Sequence, residues 1–169
     1  MYAEGDVRRD ATCWDVRGVT YTERYQDTHI WLAKYRPFTE NNKDAGFDNN
    51  LNYNNNYRYY RYAETLLNAA ELSVRTGGGN AATYLNEVRS RAGLGNIDAT
   101  IDNIIEERHL EFVGEGKRYW DLVRSGKAAS VLVPDQYGYR TNAWTESKKY
   151  IPIAQAEIDA AQGTLVQNN

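Results

Sequence analysis

Four glutamates crowd one stretch of the chain: Glu106, Glu107, Glu111 and Glu115. Two carboxylates flanking a sugar are the machinery of glycoside hydrolysis, which needs them about 5–10 Å apart in a cleft that raises the pKa of one. Here the acids alternate with Arg108, Lys117, Arg118 and Arg124, and Glu107 and Glu111 fall at i, i+4. A nearby guanidinium lowers a carboxylate pKa and makes a poor general acid. The spacing therefore predicts structural ion pairs, and no catalytic residue is assigned.

Other reactive types are thinly spread. His29 and His109 are the only histidines and lie 80 positions apart, so neither has a partner at helical spacing for zinc. Asp44, Asp48, Asn50 and Asn52 are oxygen donors of the kind calcium takes, but turns use the same residues, and a solvated turn is expected. Gly77-Gly78-Gly79 lacks the preceding strand and the lysine of a phosphate loop and reads as a linker. Cys13 is the single cysteine, which leaves no internal disulfide and no thiolate cluster. It reads as an ordinary semi-buried thiol. No metal and no cofactor are expected.

The aromatics are unusual in kind, with 14 Tyr and 4 Trp against 3 Phe. Tyr and Trp join a large apolar face to a polar tip, which suits wet interfaces and sugar-stacking platforms. Lining an edge of the core is the competing role.

The elements that must hold these residues divide the chain into three stretches. Residues 1–56 lack helical periodicity. Residues 19–25 and 30–35 are rich in β-branched and aromatic types around Gln26-Asp27-Thr28, which predicts a short hairpin. Residues 41–56 contain eight asparagines and read as a long loop. From Tyr57 the pattern turns helical: Tyr59, Ala63, Leu66, Leu67, Ala70 and Val74 form one apolar face. The three glycines stop that helix, and Asn80 is a suitable N-cap for a second carrying Ala81, Leu85, Val88 and Ala92. Residues 57–92 should thus be a helical hairpin. A third helix is expected from about Ile101 to Val113, and a short fourth through Tyr119, Leu122 and Val123 to Gly126. Ala69, Leu72, Ile104 and Leu110 fall off the main stripes and are candidates for an uncovered apolar face. In the tail, residues 127–169, Tyr150-Ile151-Pro152-Ile153 reads as extended and Glu157-Ile158 as a last short helix. The fold class is mainly α: a helical hairpin and further short helices packed with irregular loops and a few short strands.

Composition bounds the function. Hydrophobic residues make up 41% and charged residues 25%, ordinary for a soluble globular domain. A net charge of -3 gives no basic footprint, which argues against a nucleic-acid partner. No apolar run approaches the roughly 18 residues of a membrane-spanning helix. Residues 1–10 are polar and charged, unlike a signal peptide.

A set of motifs in order then resembles the C-terminal region of the SusD/RagB family of outer-membrane nutrient-binding lipoproteins. Gly5-Asp6-Val7-Arg8-Arg9-Asp10-Ala11-Thr12 looks like D-P-R-x-D-A-T, with Val7 for the usual proline. Residues 59–71 are similar to the R-Y-A-E-x-L-L-x-x-A-E helix, and residues 85–94 to L-N-x-V-R-x-R-A-G-L. Glu107-Arg108-His109-Leu110-Glu111-Phe112 resembles E-R-x-x-E-L/F, and residues 115–126 resemble E-G-x-R-x-x-D-L-x-R-x-G. Ile151-Pro152-Ile153 with Glu157-Ile158 resembles P-I-P-x-x-E-I, although Ala154 replaces the second proline. Gln167-Asn168 resembles the terminal Q-N.

The resemblance implies a single C-terminal domain over 1–169 of a tetratricopeptide-containing fold, expected to be the last third or so of a longer protein. It implies a non-catalytic carrier at the outer cell surface, lipid-anchored through a segment outside this chain. The carrier would bind oligosaccharide or peptide and deliver it to a SusC-like TonB-dependent transporter, with an upstream half of the same protein as the other partner. It further implies a structural ion-pair network of Arg61, Glu64, Glu71, Arg89, Arg91, Glu107, Arg108, Glu111, Arg118 and Asp121. Ligand contacts are expected at Trp14, Trp31, Tyr53, Tyr57 and Trp144, on residue type and loop position. Two rivals remain: a helical adaptor that binds another protein, and a glycoside hydrolase fragment using Glu111 and Glu115.

Overall fold

The computed structural model describes residues 2–37 and 54–168. They form two compact units, residues 1–118 and residues 119–169. Among the described residues the structure is mostly helical, with one two-stranded sheet.

The first unit begins with a short helix, α1 (Arg8–Thr12), that runs directly into strand β1 (Cys13–Asp15). β1 pairs antiparallel with β2 (Ile30–Leu32), placing Trp14 opposite Trp31. The expected hairpin strand over 19–25 is not a strand. Residues 17–29 instead make an irregular excursion, closed at its base by the Val16 amide donating to the His29 carbonyl at 3.0 Å. Pairing across the ladder lets the two indoles meet edge to face, a contact that aromatic cross-strand pairs favour.

The helical hairpin is α2 (Tyr62–Thr76) and α3 (Ala81–Arg91), and α4 (Ile101–Glu111) packs against both. Their core is Ala63, Leu66, Leu67, Ala70, Leu85, Val88, Ile104 and Phe112. Leu67, Leu85 and Ile104 are fully buried. The turn is built as the glycines require: Gly77 is left-handed at φ 73° and its amide, like that of Gly78, returns to the Ser73 carbonyl, a Schellman-type stop. Asn80 occupies the N-cap of α3 without a side-chain cap bond. Thr100 does cap α4, accepting from the Asn103 amide at 3.1 Å.

Two sequence expectations change here. Tyr59 is 81% exposed rather than on the apolar face. Its carbonyl is taken by the Lys117 ammonium at 2.9 Å, and the chain is extended at Arg61, the N-cap before α2 begins at Tyr62. The uncovered apolar face also shrinks. Ile104 and Leu110 are buried within the chain itself, leaving Leu72 as its large exposed member, and α4 turns Ile104 into the hairpin core.

The segment between α3 and α4 lacks regular structure yet is held by a side-chain amide. Asn86 accepts from the Ile97 amide at 2.9 Å and donates to the Ile97 carbonyl at 3.0 Å. The second unit repeats the device. α5 (Arg118–Arg124) leads into it, and α6 (Ala128–Val131), a 3-10 turn (Glu146–Lys149) and α7 (Gln155–Ala160) follow. Residues 150–153 are extended without a strand partner. Gln167 instead accepts from the Ile153 amide at 2.8 Å and donates to its carbonyl at 3.0 Å, while Asn168 donates to the Ile151 carbonyl.

Candidate functional site

Arg8 stands at the centre of the first unit. Its guanidinium donates to both carboxylate oxygens of Asp6, to Glu107 at 2.6 Å and to Glu111 at 3.0 Å. All four side chains are at least nine-tenths buried. Glu107 takes Arg89 as a second partner at 2.9 Å, and Glu111 takes Arg61 and Arg91. Glu115, four residues on, receives Arg61 at 2.8 Å and Lys34 at 2.7 Å. α1, the segment before α2, α3 and α4 are thereby tied through one set of charges.

The position of Glu115 depends on its flanks. Gly114 and Gly116 are both left-handed, at φ 78° and 72°, a backbone that a side-chain-bearing residue rarely adopts. At Gly114 there is also no room, since a Cβ would lie 2.6 Å from Leu32 Cδ2. The tight turn returns the carboxylate inward, where it is 5% exposed.

Electrostatics follow the geometry. Burial opposes ionisation of Glu115, but hydrogen bonds from Arg61 and Lys34 outweigh it and hold its pKa below the ordinary value. Asp6 is likewise lowered, burial being overcome by the Arg8 side chain and amide. Arg8 and Arg61 are raised although burial works the other way, because Asp6, Glu107, Glu111 and Glu115 face them. A general acid needs the opposite shift, so Asp6 and Glu115 are suited to holding the fold together and poorly suited to donating a proton. Beside them lies a cleft of about 490 Å³ whose lining includes Arg8, Lys34, Tyr35, Arg61, Arg91 and Glu111.

The remaining expected network members form separate groups. Glu64 faces Lys117 at 3.1 Å and Arg108 at 3.7 Å. Arg108 also donates to Asn68 and lies over the Phe112 ring. Glu71 pairs with Arg75 along α2, Arg118 with the exposed Glu106, and Asp121 with Arg124 within α5. The expected network left out Asp6, Arg8 and Lys34, and also Glu115, which reads in sequence only as one of the ion-pairing glutamates. Asp6 and Arg8 stood in a quoted motif, the one signal that pointed to them.

Of the expected ligand contacts, Trp14 and Trp31 are brought together, their ring centroids 5.8 Å apart. Tyr21 packs edge-on against Trp31 at 4.8 Å, and the Arg36 guanidinium lies 3.9 Å from the Trp14 ring centre. Neither Tyr21 nor Arg36 was picked out from the sequence. Tyr57 lies elsewhere in the same unit, stacked on Tyr35. Trp144 belongs to the second unit, where its indole N–H donates to the Tyr119 hydroxyl at 3.2 Å. Tyr53, like the asparagine-rich residues 41–53 with Asp44 and Asp48, lies outside the described residues.

Comparison with known proteins adds an identity to this geometry. The model of the SusD family matches residues 8–169. Two structures of surface glycan-binding protein A from Bacteroides thetaiotaomicron, one in complex with laminarihexaose, are each 62% identical to this chain with a TM-score of 0.91. Each match covers 99% of this chain and 39% of the other. SusD-like protein P2 from Formosa agariphila is 30% identical over 97% of this chain and 35% of its own length. The chain thus spans between a third and two fifths of these relatives.

Proposed function

The chain belongs to the SusD family, and from that premise we propose that it forms part of a non-catalytic cell-surface protein that binds a glycan of the laminari-oligosaccharide kind. The carrying observation is the 62% identity, over nearly the whole chain, to a protein whose structure is in complex with laminarihexaose. The charge arrangement supports the non-catalytic part: Glu111 and Glu115, the pair a hydrolase would use, are each held by two or more cations. Exposed tyrosines and the Trp14–Trp31 pair are the groups suited to stacking on sugar rings, with Tyr57 and Trp144 as further candidate contacts. In this reading the protein is lipid-anchored at the outer membrane and passes its ligand to a SusC-like TonB-dependent transporter, with the rest of its own chain completing the binding groove.

The test is calorimetric titration with laminarihexaose, with maltohexaose and mixed peptides alongside, and chromatography of each sugar after prolonged incubation. Binding of laminarihexaose without cleavage is expected. Preference for peptides, or appearance of shorter sugars, would overturn the reading.

A further inference from the structure

The excursion between β1 and β2 is held more firmly than a connecting loop needs. Gln26 and His29 are both left-handed, at φ 60° and 59°, a conformation uncommon for residues with side chains. Such backbone persists only where the surroundings over-determine it, and it gathers at sites of function. Here the surroundings are specific. Asp27 accepts from the His29 amide at 2.8 Å and from the Trp31 indole N–H at 3.2 Å. His29 Nδ1 meets the Tyr21 hydroxyl at 2.6 Å, and its carbonyl receives the Val16 amide. The result is a fixed corner of three rings, Tyr21 against both His29 and Trp31.

That corner opens on a recess of about 260 Å³, lined by Arg17, Val19, Thr20, Tyr21, Glu23 and His29. Its volume lies below the roughly 300–1,000 Å³ of a pocket for a drug-sized ligand, which leaves space for about one sugar ring. The lining mixes ring faces with planar polar groups. The Arg17 guanidinium is fixed by Nε and Nη2 on Asp15, and the Glu23 carboxylate stands 3.6 Å from His29 Nε2. Aromatic carbon meets the apolar face of a pyranose, while a guanidinium, a carboxylate, a threonine hydroxyl and an imidazole offer both donors and acceptors to its hydroxyls.

We infer that the Tyr21–His29 recess, with Trp31 behind it, is a subsite for a single neutral pyranose ring of the bound glycan. The inference rests on the glycan-binding reading and names a place for one ring of the ligand. The strained backbone then has a purpose: it turns the imidazole toward Tyr21, so that both rings are set before the sugar arrives.

The test titrates laminarihexaose into the whole protein that carries this chain, wild type and two variants. His29→Gly removes the ring while relieving the left-handed backbone, so folding is retained. Tyr21→Phe keeps the ring and removes the hydroxyl. The expected result is a Kd about tenfold weaker in His29→Gly and a smaller loss in Tyr21→Phe, with melting temperatures held, each tenfold step being ~1.4 kcal/mol. In the wild type, the Trp31 indole N–H resonance should shift, with nuclear Overhauser contacts from sugar protons to the Tyr21 ring. If wild type binds and both variants match it, or if no sugar contact reaches Tyr21, the subsite is overturned and the glycan-binding reading stands. If wild type fails to bind laminarihexaose at millimolar sugar, both are overturned.

Discussion

Replacing Glu111 with glutamine tests the buried charges most directly, because the change keeps the volume and removes one negative charge. Glu111 is 2% exposed and faces Arg8, Arg61 and Arg91, whose side chains are 9%, 22% and 60% exposed. Breaking a buried pair typically costs ~3–5 kcal/mol, because the partner charge stays buried. The three arginines lose unequally. Arg91 is largely in water and contributes at most ~1 kcal/mol. Arg61 keeps Glu115, and Arg8 keeps Asp6 and Glu107. With those partners retained, the loss should fall at the low end of the range, about 3 kcal/mol. Urea unfolding read by circular dichroism is the assay, with an unchanged slope showing that stability alone has moved. Glu106→Gln is the control, since its side chain is 56% exposed and should change stability by less than ~0.5 kcal/mol. Equal midpoints for the two variants would refute the structural role. Neither wild type nor Glu111→Gln should cleave an oligosaccharide.

Other outcomes follow from single features of the fold. Leu67 is fully buried in the helical core, so Leu67→Ala should cost ~2–5 kcal/mol, while Leu72→Ala, at a position 62% exposed, should barely move the same unfolding midpoint. Gln167→Ala removes two hydrogen bonds to Ile153. At ~0.5–1.5 kcal/mol each, the loss should show as faster hydrogen exchange at the Ile153 amide; unchanged protection would mean that the clamp is idle. Gly116→Ala faces only the left-handed backbone, ~1–2 kcal/mol, whereas Gly114→Ala also meets Leu32. Gly114→Ala should therefore melt lower, and adding Leu32→Ala should narrow the gap. The folded-state pKa values of Asp6 and Glu115 lie below their unfolded values of 3.8 and 4.5. A depressed carboxylate stabilises the fold above its unfolded pKa and loses that contribution as pH falls through the folded one. Their contribution should thus be level above about pH 5 and be lost as the solution is acidified below it, whereas the urea midpoint should begin to fall earlier, below about pH 6.5, because burial lowers the pKa of His109.

How much of this could be read in advance depends on how local the cause is. The hairpin of α2 and α3 was legible because Leu66, Leu67 and Ala70 repeat at helical spacing and three glycines follow. Both signals lie within one element and its stop. The start of α2 was not legible, since Lys117 takes the Tyr59 carbonyl from a distant turn. Strand pairing failed for the same reason. Adjacent β-branched runs predict a local hairpin, but β2 pairs with Cys13–Asp15, and the advantage lies in Trp14 meeting Trp31 across the ladder. The charges show the limit most clearly. That acids alternating with arginines would form ion pairs could be argued from charge alone, and the glutamates in question are indeed each beside a cation. Which arginine stands at the centre could not, because Arg8 and Glu107 are 99 positions apart and periodicity carries no information at that range.

The same distinction separates scaffold from ligand site. The motif residues that made the family recognisable are mostly the buried charges and helix-packing positions, whose partners lie inside the chain. The candidate sugar contacts, Tyr21, His29 and Trp31, stand in a stretch without periodicity, where residue type alone suggested a role. Trp31 stood out by type, whereas Tyr21 and His29 gain their meaning from two left-handed residues and one aspartate that turn their rings together. A backbone conformation of that kind leaves no mark in the residue types when the residues are not glycine. The scaffold can therefore be recognised from motifs, while a candidate ligand site has to be found in the geometry.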